Sequence, residues 1–253
     1  MFSSRTKTFA HRGLHGAPGA GPENSLAAFA AACDAGYGIE LDVRETADGQ
    51  LAVIHDPTLK RAAGKDLAIA DTSYAELASY SLFGSDQHLP LFSEVLSLVN
   101  GRVPLIVEIK CDTMRDADRV AAKTARLLDA YSGTYCVESF NPKCLRWFLK
   151  HRPQVLRGQL SERFRGMTGA LRIYAVPASF CLANFLTRPD FIAYNIRDAH
   201  LLRYQVLRRV LHACTVAWTV TDGTSLAEAR KLFDVFIFEG FLPENEEQVK
   251  DHG

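Results

Sequence analysis

Short apolar runs alternate with amphipathic stretches along almost the whole chain. Runs rich in β-branched and aromatic residues fall at 7–11, 38–43, 51–55, 104–109, 134–139, 155–160, 191–195, 215–219 and 235–238. Between many of them lie segments of helical period, at 25–35, 115–130, 142–151, 201–212 and 225–232. The punctuation agrees with that reading. Asn24 is placed to cap the first helix and Gly36 to stop it, while Pro142 opens another behind Asn141.

Strands that read as continuous buried runs, each followed by a helix, predict a parallel sheet covered by helices. With 51–55 taken as an outgrowth, eight main strands remain, which favours a closed TIM (β/α)8 barrel over an open doubly wound sheet. No Gly-x-Gly-x-x-Gly follows the first strand, so a dinucleotide fold loses its main support. One interval breaks the rhythm. From Asp56 to about Gly101 no core strand is evident. We therefore expect one barrel domain over 1–253, with a small insertion after the second strand at 57–100, on the barrel's catalytic side.

Composition narrows the function classes. The 253 residues are 47% hydrophobic and 10% aromatic, with 29 basic against 29 acidic residues. Such a chain has enough apolar content for a substantial core and is not disordered. Zero net charge argues against a general nucleic-acid binder. No apolar run approaches the roughly 20 residues of a membrane span, and the first ten residues lack a signal-peptide core. The expectation is a cytoplasmic protein with no stable membrane association. Six scattered cysteines without Cys-x-x-Cys spacing read as free thiols. The apolar stretch 173–186 reads as a helix packed over the barrel, with docking on a lipid surface as the alternative.

The chemistry lies at strand ends. In Gly38-Ile39-Glu40-Leu41-Asp42-Val43, alternation puts Glu40 and Asp42 on one face, roughly 6.6 Å apart. Glu108 stands near the end of another strand, with Lys110 two residues on. Burying these carboxylates uncompensated would be very costly, so something cationic must sit among them. Two readings fit the spacing: a hard divalent-cation site for Mg²⁺ or Ca²⁺, or a salt-bridge cluster with Arg12, Arg44 and Lys110. Two histidines tip the balance. His11-Arg12-Gly13 follows the first strand and His55-Asp56 ends the 51–55 run. Paired imidazoles supply a general acid and a general base, a cation offsets developing charge, and Arg12 and Lys110 suit an anionic group. Such a set fits phosphodiester cleavage, with an anionic phosphoryl centre, a nucleophile to deprotonate and an alkoxide to protonate.

The ordered run His11-Arg12-Gly13, Pro22-Glu23-Asn24-Ser25, Ala28-Phe29, Glu40-Leu41-Asp42-Val43, Thr46-x-Asp48-Gly49 and Val53-x-His55-Asp56 resembles the glycerophosphodiester phosphodiesterase family. Glu108-x-Lys110, Ser139-Phe140 and Trp218-Thr219 continue the likeness. The resemblance implies metal-dependent hydrolysis of small glycerophosphodiesters to glycerol 3-phosphate and an alcohol. It implies Glu40, Asp42 and Glu108 as ligands of Mg²⁺ or Ca²⁺, His11 and His55 as the acid–base pair, and Arg12 and Lys110 on the phosphate. It also implies attack by the neighbouring glycerol hydroxyl, through a cyclic phosphate that water opens. Phe140 and Trp218 are candidate pocket walls, with barrel packing the alternative. Three features depart from the family pattern: the loop carrying His15, the Glu239 that follows the last strand, and the Glu138 that precedes Ser139-Phe140. Glu138 is read as a substrate contact or the partner of a rim arginine, and Glu239 as a holder of a rim cation. Two other functions are weighed. One is a lysophospholipase-D-type activity on lipid-bearing phosphodiesters. The other is a barrel that binds phosphodiesters without cleaving them, which the intact set of acids and histidines argues against.

Overall fold

The computed structural model describes residues 7–16, 19–111, 113–161, 184–210 and 212–243. Nine strands are present among them: β1 (Thr8–Ala10), β2 (Gly38–Glu45), β3 (Leu51–Val53), β4 (Leu105–Ile109), β5 (Tyr135–Ser139), β6 (Arg157–Ser161), β7 (Phe191–Asn195), β8 (Cys214–Val220) and β9 (Val235–Phe238). All except β3 lie parallel to their neighbours, and β1 pairs with both β2 and β9. The ring is therefore closed. The result is an eight-stranded parallel barrel, with β3 attached antiparallel to β2 outside the ring.

Alternation along each strand builds two apolar layers. Ile39, Leu41 and Val43 of β2, Leu105, Val107 and Ile109 of β4, and Val137 of β5 face the surrounding helices. That outer layer packs on α1 (Leu26–Asp34), α4 (Phe92–Val99), α5 (Ala117–Asp129) and α6 (Pro142–His151). Residues in between point into the barrel, where Phe9, Ile106, Cys136, Leu160, Phe191, Val216, Val235 and Ile237 form a separate plug. Two residues further toward the strand C-termini stand His11, Glu108, Glu138, Trp218 and Glu239. An apolar floor thus lies directly beneath a polar mouth, the arrangement that places barrel chemistry at the C-terminal face.

Gly158 of β6 is required by that plug. A β-carbon there would collide with the Phe191 ring on the adjacent strand, which is 1% exposed and cannot swing away. We expect Gly158→Ala to destabilise the fold by about 1–3 kcal/mol through overpacking. Thermal melting would read this as a Tm lowered by several degrees, and an unchanged Tm would show that the ring has room.

The interval 57–100 holds two different structures. The short helices α2 (Lys60–Ala63) and α3 (Tyr74–Leu77) belong to a small core of Ala52, Ile54, Leu59, Ala62, Ile69, Leu77, Leu82 and Leu89. By contrast, α4 lies in the barrel's outer layer through Phe92, Val95, Leu96 and Val99. Those four positions follow helical period, but the N-cap is Leu91, which has no capping side chain. Glu94 secures that start from within the helix, its carboxylate accepting the Leu91 N–H at 2.7 Å. The first helix also begins differently from expectation. Ser25, not Asn24, caps it by accepting the Ala28 N–H, and Asn24 is turned to the barrel mouth instead. Downstream, α7 (Asn184–Thr187), α8 (Leu202–Arg209) and α9 (Gly223–Leu232) follow β6, β7 and β8 in chain order.

The described cysteines are free, with Cys111 and Cys144 in thiol contact. Most of the apolar stretch 173–186 lies outside the described residues, as do Cys181 and His252. No described helix is long and apolar enough to cross a membrane.

Candidate active site

Strand register assembles the acids. Asp42 of β2 pairs with Glu108 of β4, which pairs with Glu138 of β5, while Glu40 stands one inward-facing position below Asp42. All four are buried, at 1–7% exposure. Asp42 is held by cations. Lys110 Nζ lies 3.1 Å from its Oδ1, Arg12 Nε lies 3.3 Å from Oδ2, and the Asn24 amide donates to Oδ2 at 2.9 Å. Burial alone would raise this carboxyl, but Lys110 and Arg12 keep it well below the usual range. Glu108 meets the same lysine at 2.8 Å, yet burial, with Asp42 adding to it, pushes Glu108 up to about 7. Glu40 and Glu138 are raised well above ordinary carboxylates, chiefly by burial and then by their acidic neighbours.

The turn after β1 aims Arg12. Arg12 itself adopts a left-handed backbone with φ 55°, followed by Gly13 at φ 83°, where a β-carbon would strike Ala28 of α1. That turn points the Arg12 N–H at Glu40 Oε2, 3.1 Å away, and sends its guanidinium to Glu23 at 2.8 Å. Arg61 of α2 then bridges Glu23 and Asp56, so the small core after β3 is tied to the mouth by charge. Nothing in the local pattern around Glu23 or Arg61 signals this link, because it depends on a distant segment folding over.

The two histidines arrive by different routes. His11 ends β1, and its Nδ1 shares a 2.6 Å hydrogen bond with Glu239, leaving Nε2 3.9 Å from Glu40. That bond holds Glu239 down at about 2 despite its partial burial. Glu239 therefore serves a histidine, and His15 approaches it from the other side at 3.7 Å. His55 follows a strand that runs back along β2, with the Ile54 N–H bonded to Asp42 O at 3.0 Å. It thus reaches the level of Asp42 because β2 extends beyond the mouth, not because β3 shares the barrel's direction. Arg44 fixes this turn by donating from Nε to the His55 carbonyl at 2.8 Å, and Asp56 holds His55 Nδ1 at 2.7 Å. Burial lowers the His55 pKa, against the pull of Asp42.

Phe140 and Trp218 meet edge to face with ring centroids 5.8 Å apart, both packed on the barrel plug. Trp218 Nε1 is buried and without a hydrogen-bond partner. The mouth therefore combines an aromatic pair, a free indole donor, two cations, two carboxylate-held imidazoles and four inward acids. Ligand atoms of Glu40, Glu108 and Glu138 all lie within 4.8 Å of one another, a spacing suited to one hard cation. Asp42, beside Glu108 on the neighbouring strand, is engaged by Lys110, Arg12 and Asn24.

The model of the glycerophosphoryl diester phosphodiesterase family matches residues 11–171. A glycerophosphodiester phosphodiesterase of Bacillus altitudinis is 43% identical over 112 residues, covering 42% of this chain and 44% of its own. A lysophospholipase D of Homo sapiens is 36% identical over 120 residues, covering 42% of this chain and 36% of its own. The chain thus spans less than half the length of these curated relatives. Among solved structures, an Oleispira antarctica phosphodiesterase in complex with the product sn-glycerol-3-phosphate shares the fold, with a TM-score of 0.76, 20% identity and 92% of each chain covered. The family match runs through every acid, histidine and cation gathered at the mouth except the groups that follow β7, and on it the chain belongs to the glycerophosphoryl diester phosphodiesterase family.

Proposed function

We propose that the chain hydrolyses small glycerophosphodiesters to glycerol 3-phosphate and an alcohol, using a divalent cation and a histidine acid–base pair. One observation carries this reading. His11, Arg12, Glu40, Asp42, His55, Glu108 and Lys110, drawn from distant parts of the sequence, form a connected set of contacts at a single barrel mouth. The glycerol-3-phosphate held by the Oleispira antarctica relative supports the substrate class.

The division of labour follows from the environments. His55, with its pKa lowered by burial, is neutral near pH 7 and takes the proton from the attacking hydroxyl. His11 backs onto an anionic Glu239, which orients the ring, so His11 delivers a proton to the departing alcohol. Arg12 and Lys110 present charged donors to the phosphate. Phe140 and Trp218 give the glycerol carbons an apolar wall. The inward carboxylates suit Mg²⁺ or Ca²⁺, which when bound offsets charge on a phosphoryl oxygen.

The test is hydrolysis of glycerophosphocholine with Mg²⁺ or Ca²⁺ and then with excess EDTA. Turnover is expected with either ion and its loss on chelation. Undiminished activity in EDTA would remove the cation from the reaction. The relationship to a human lysophospholipase D favours a second substrate class, lysophosphatidylcholine. Slower turnover of that lipid than of its deacylated form would reject it.

A further inference from the structure

Two thiols that the hydrolysis leaves unused meet beside the mouth. Cys111 follows Lys110 just past the end of β4, and Cys144 stands in the first turn of α6, two residues beyond Pro142. They are 33 positions apart in the chain, yet their Sγ atoms lie 2.8 Å from one another. Strand pairing explains the meeting. β4 and β5 run side by side in parallel, with Glu108 opposite Glu138 and the Ser139 hydroxyl donating to the Ile109 carbonyl at 2.7 Å, so their C-terminal turns are neighbours. Among the described cysteines, no other two are in thiol contact.

The two thiols differ in access. Cys144 is 0% exposed, and the contact with Cys111, then burial, push its thiol far up. Cys111 is only partly buried. A small oxidant from solvent therefore meets Cys111 first, with Cys144 waiting behind it, the order of an attacking and a resolving thiol.

We propose that this pair is an oxidisable site, which hydrogen peroxide converts into a disulfide between Cys111 and Cys144 within one chain. The Cys111 thiolate attacks one peroxide oxygen, the O–O bond breaks, and a sulfenic acid forms as hydroxide leaves. The Cys144 sulfur then attacks the Cys111 sulfur. The S–O bond breaks, and the departing oxygen leaves as water with the Cys144 proton. Two thiols are oxidised and one peroxide is reduced to two waters. Because the thiols already touch, neither turn has to be rebuilt to bond them. The bond staples the turn after Lys110 to the helix that begins just behind Phe140, and encloses α5 and β5 in a covalent loop. Lys110 keeps its contacts with Asp42 and Glu108, so the staple braces the mouth without entering the chemistry.

Peptide mapping by mass spectrometry tests it, on full chain reduced with dithiothreitol, freed of reductant and treated with a few equivalents of hydrogen peroxide. The expected product holds Cys111 and Cys144 in one linked peptide, lighter by two hydrogens than the reduced pair. Closing that loop in the unfolded chain is expected to raise Tm by roughly 5–10 °C, reversibly on reduction. Cys111→Ser and Cys144→Ala should show neither the linked peptide nor the gain. Should Cys144→Ala fold poorly, Cys111→Ser, at the partly exposed position, gives the same comparison. A pair left unreacted, Cys111 found as a sulfinic acid or joined to any other cysteine, or a linked protein melting no higher than the reduced one would overturn the assignment. None of these readouts depends on turnover of a phosphodiester.

Discussion

Replacing either His11 or His55 by alanine is expected to lower kcat/KM about 10²–10⁴-fold while leaving Tm within a few degrees of wild type. The chemistry is lost because each imidazole has one nitrogen committed to a carboxylate and the other available at the mouth. Stability is spared because both rings lie above the apolar plug and outside either apolar layer. The two variants should differ in one respect. A substrate whose leaving group is p-nitrophenol departs as an anion without needing a proton. Such a substrate should restore much of the rate to His11→Ala and little to His55→Ala. Equal rescue of both would cancel the assignment of His11 as acid. A second signature is the acid limb of the kcat/KM profile, which reports the base. With His55 lowered by burial, that limb should fall below the ordinary imidazole range.

Much of this site was legible before any coordinates, because its logic is alternation. Glu40, Asp42 and Glu108 announce themselves as acids on the inward face of otherwise apolar strands, and His11 and His55 as polar groups ending such runs. Glu138 carries the same signal, two residues beyond the buried Cys136 on β5. Its register with Glu108 is what makes it part of the acid group, and no spacing within one strand encodes a neighbour's register. The hold on Asp42 by Lys110, Arg12 and Asn24 was hidden for the converse reason. Its engagement depends on Asn24, whose left-handed backbone at φ 54° removes it from the helix cap it resembles. Arg44, named for the salt-bridge cluster, also holds the His55 carbonyl, since β2 outruns the barrel mouth. Helix α4 was missed because its start is capped from within by Glu94 rather than by a recognisable cap residue.

Lys110→Met offers the sharpest contrast to the histidine variants, since it should lose both activity and fold stability. Lys110 is buried between Asp42 and Glu108, at 3.1 and 2.8 Å, and their charges raise its pKa against the desolvation it suffers. Removing one partner of a buried ion pair strands the other, at a cost of about 3–5 kcal/mol. For a domain of this size that is a Tm lower by roughly 10 °C. The loss should depend on pH with a definite sign. Glu108 already sits at about 7 with the lysine present, and without it both carboxyls move higher. The folded variant then holds more protons than the unfolded chain through the window from the ordinary carboxylate range to above 7, so its stability falls as pH rises through it. Burial lowers His15 and His55, which gives a slope of opposite sign, but those groups are common to wild type and variant. The quantity to measure is therefore the Tm gap between the two proteins in EDTA, at about pH 5 and about pH 8. It should narrow at the lower value, where protonated acids no longer need a counter-charge. A gap of the same size at both would mean that Lys110 contributes packing rather than charge, and a variant as stable as wild type would reduce it to a phosphate contact with no part in holding the acids together.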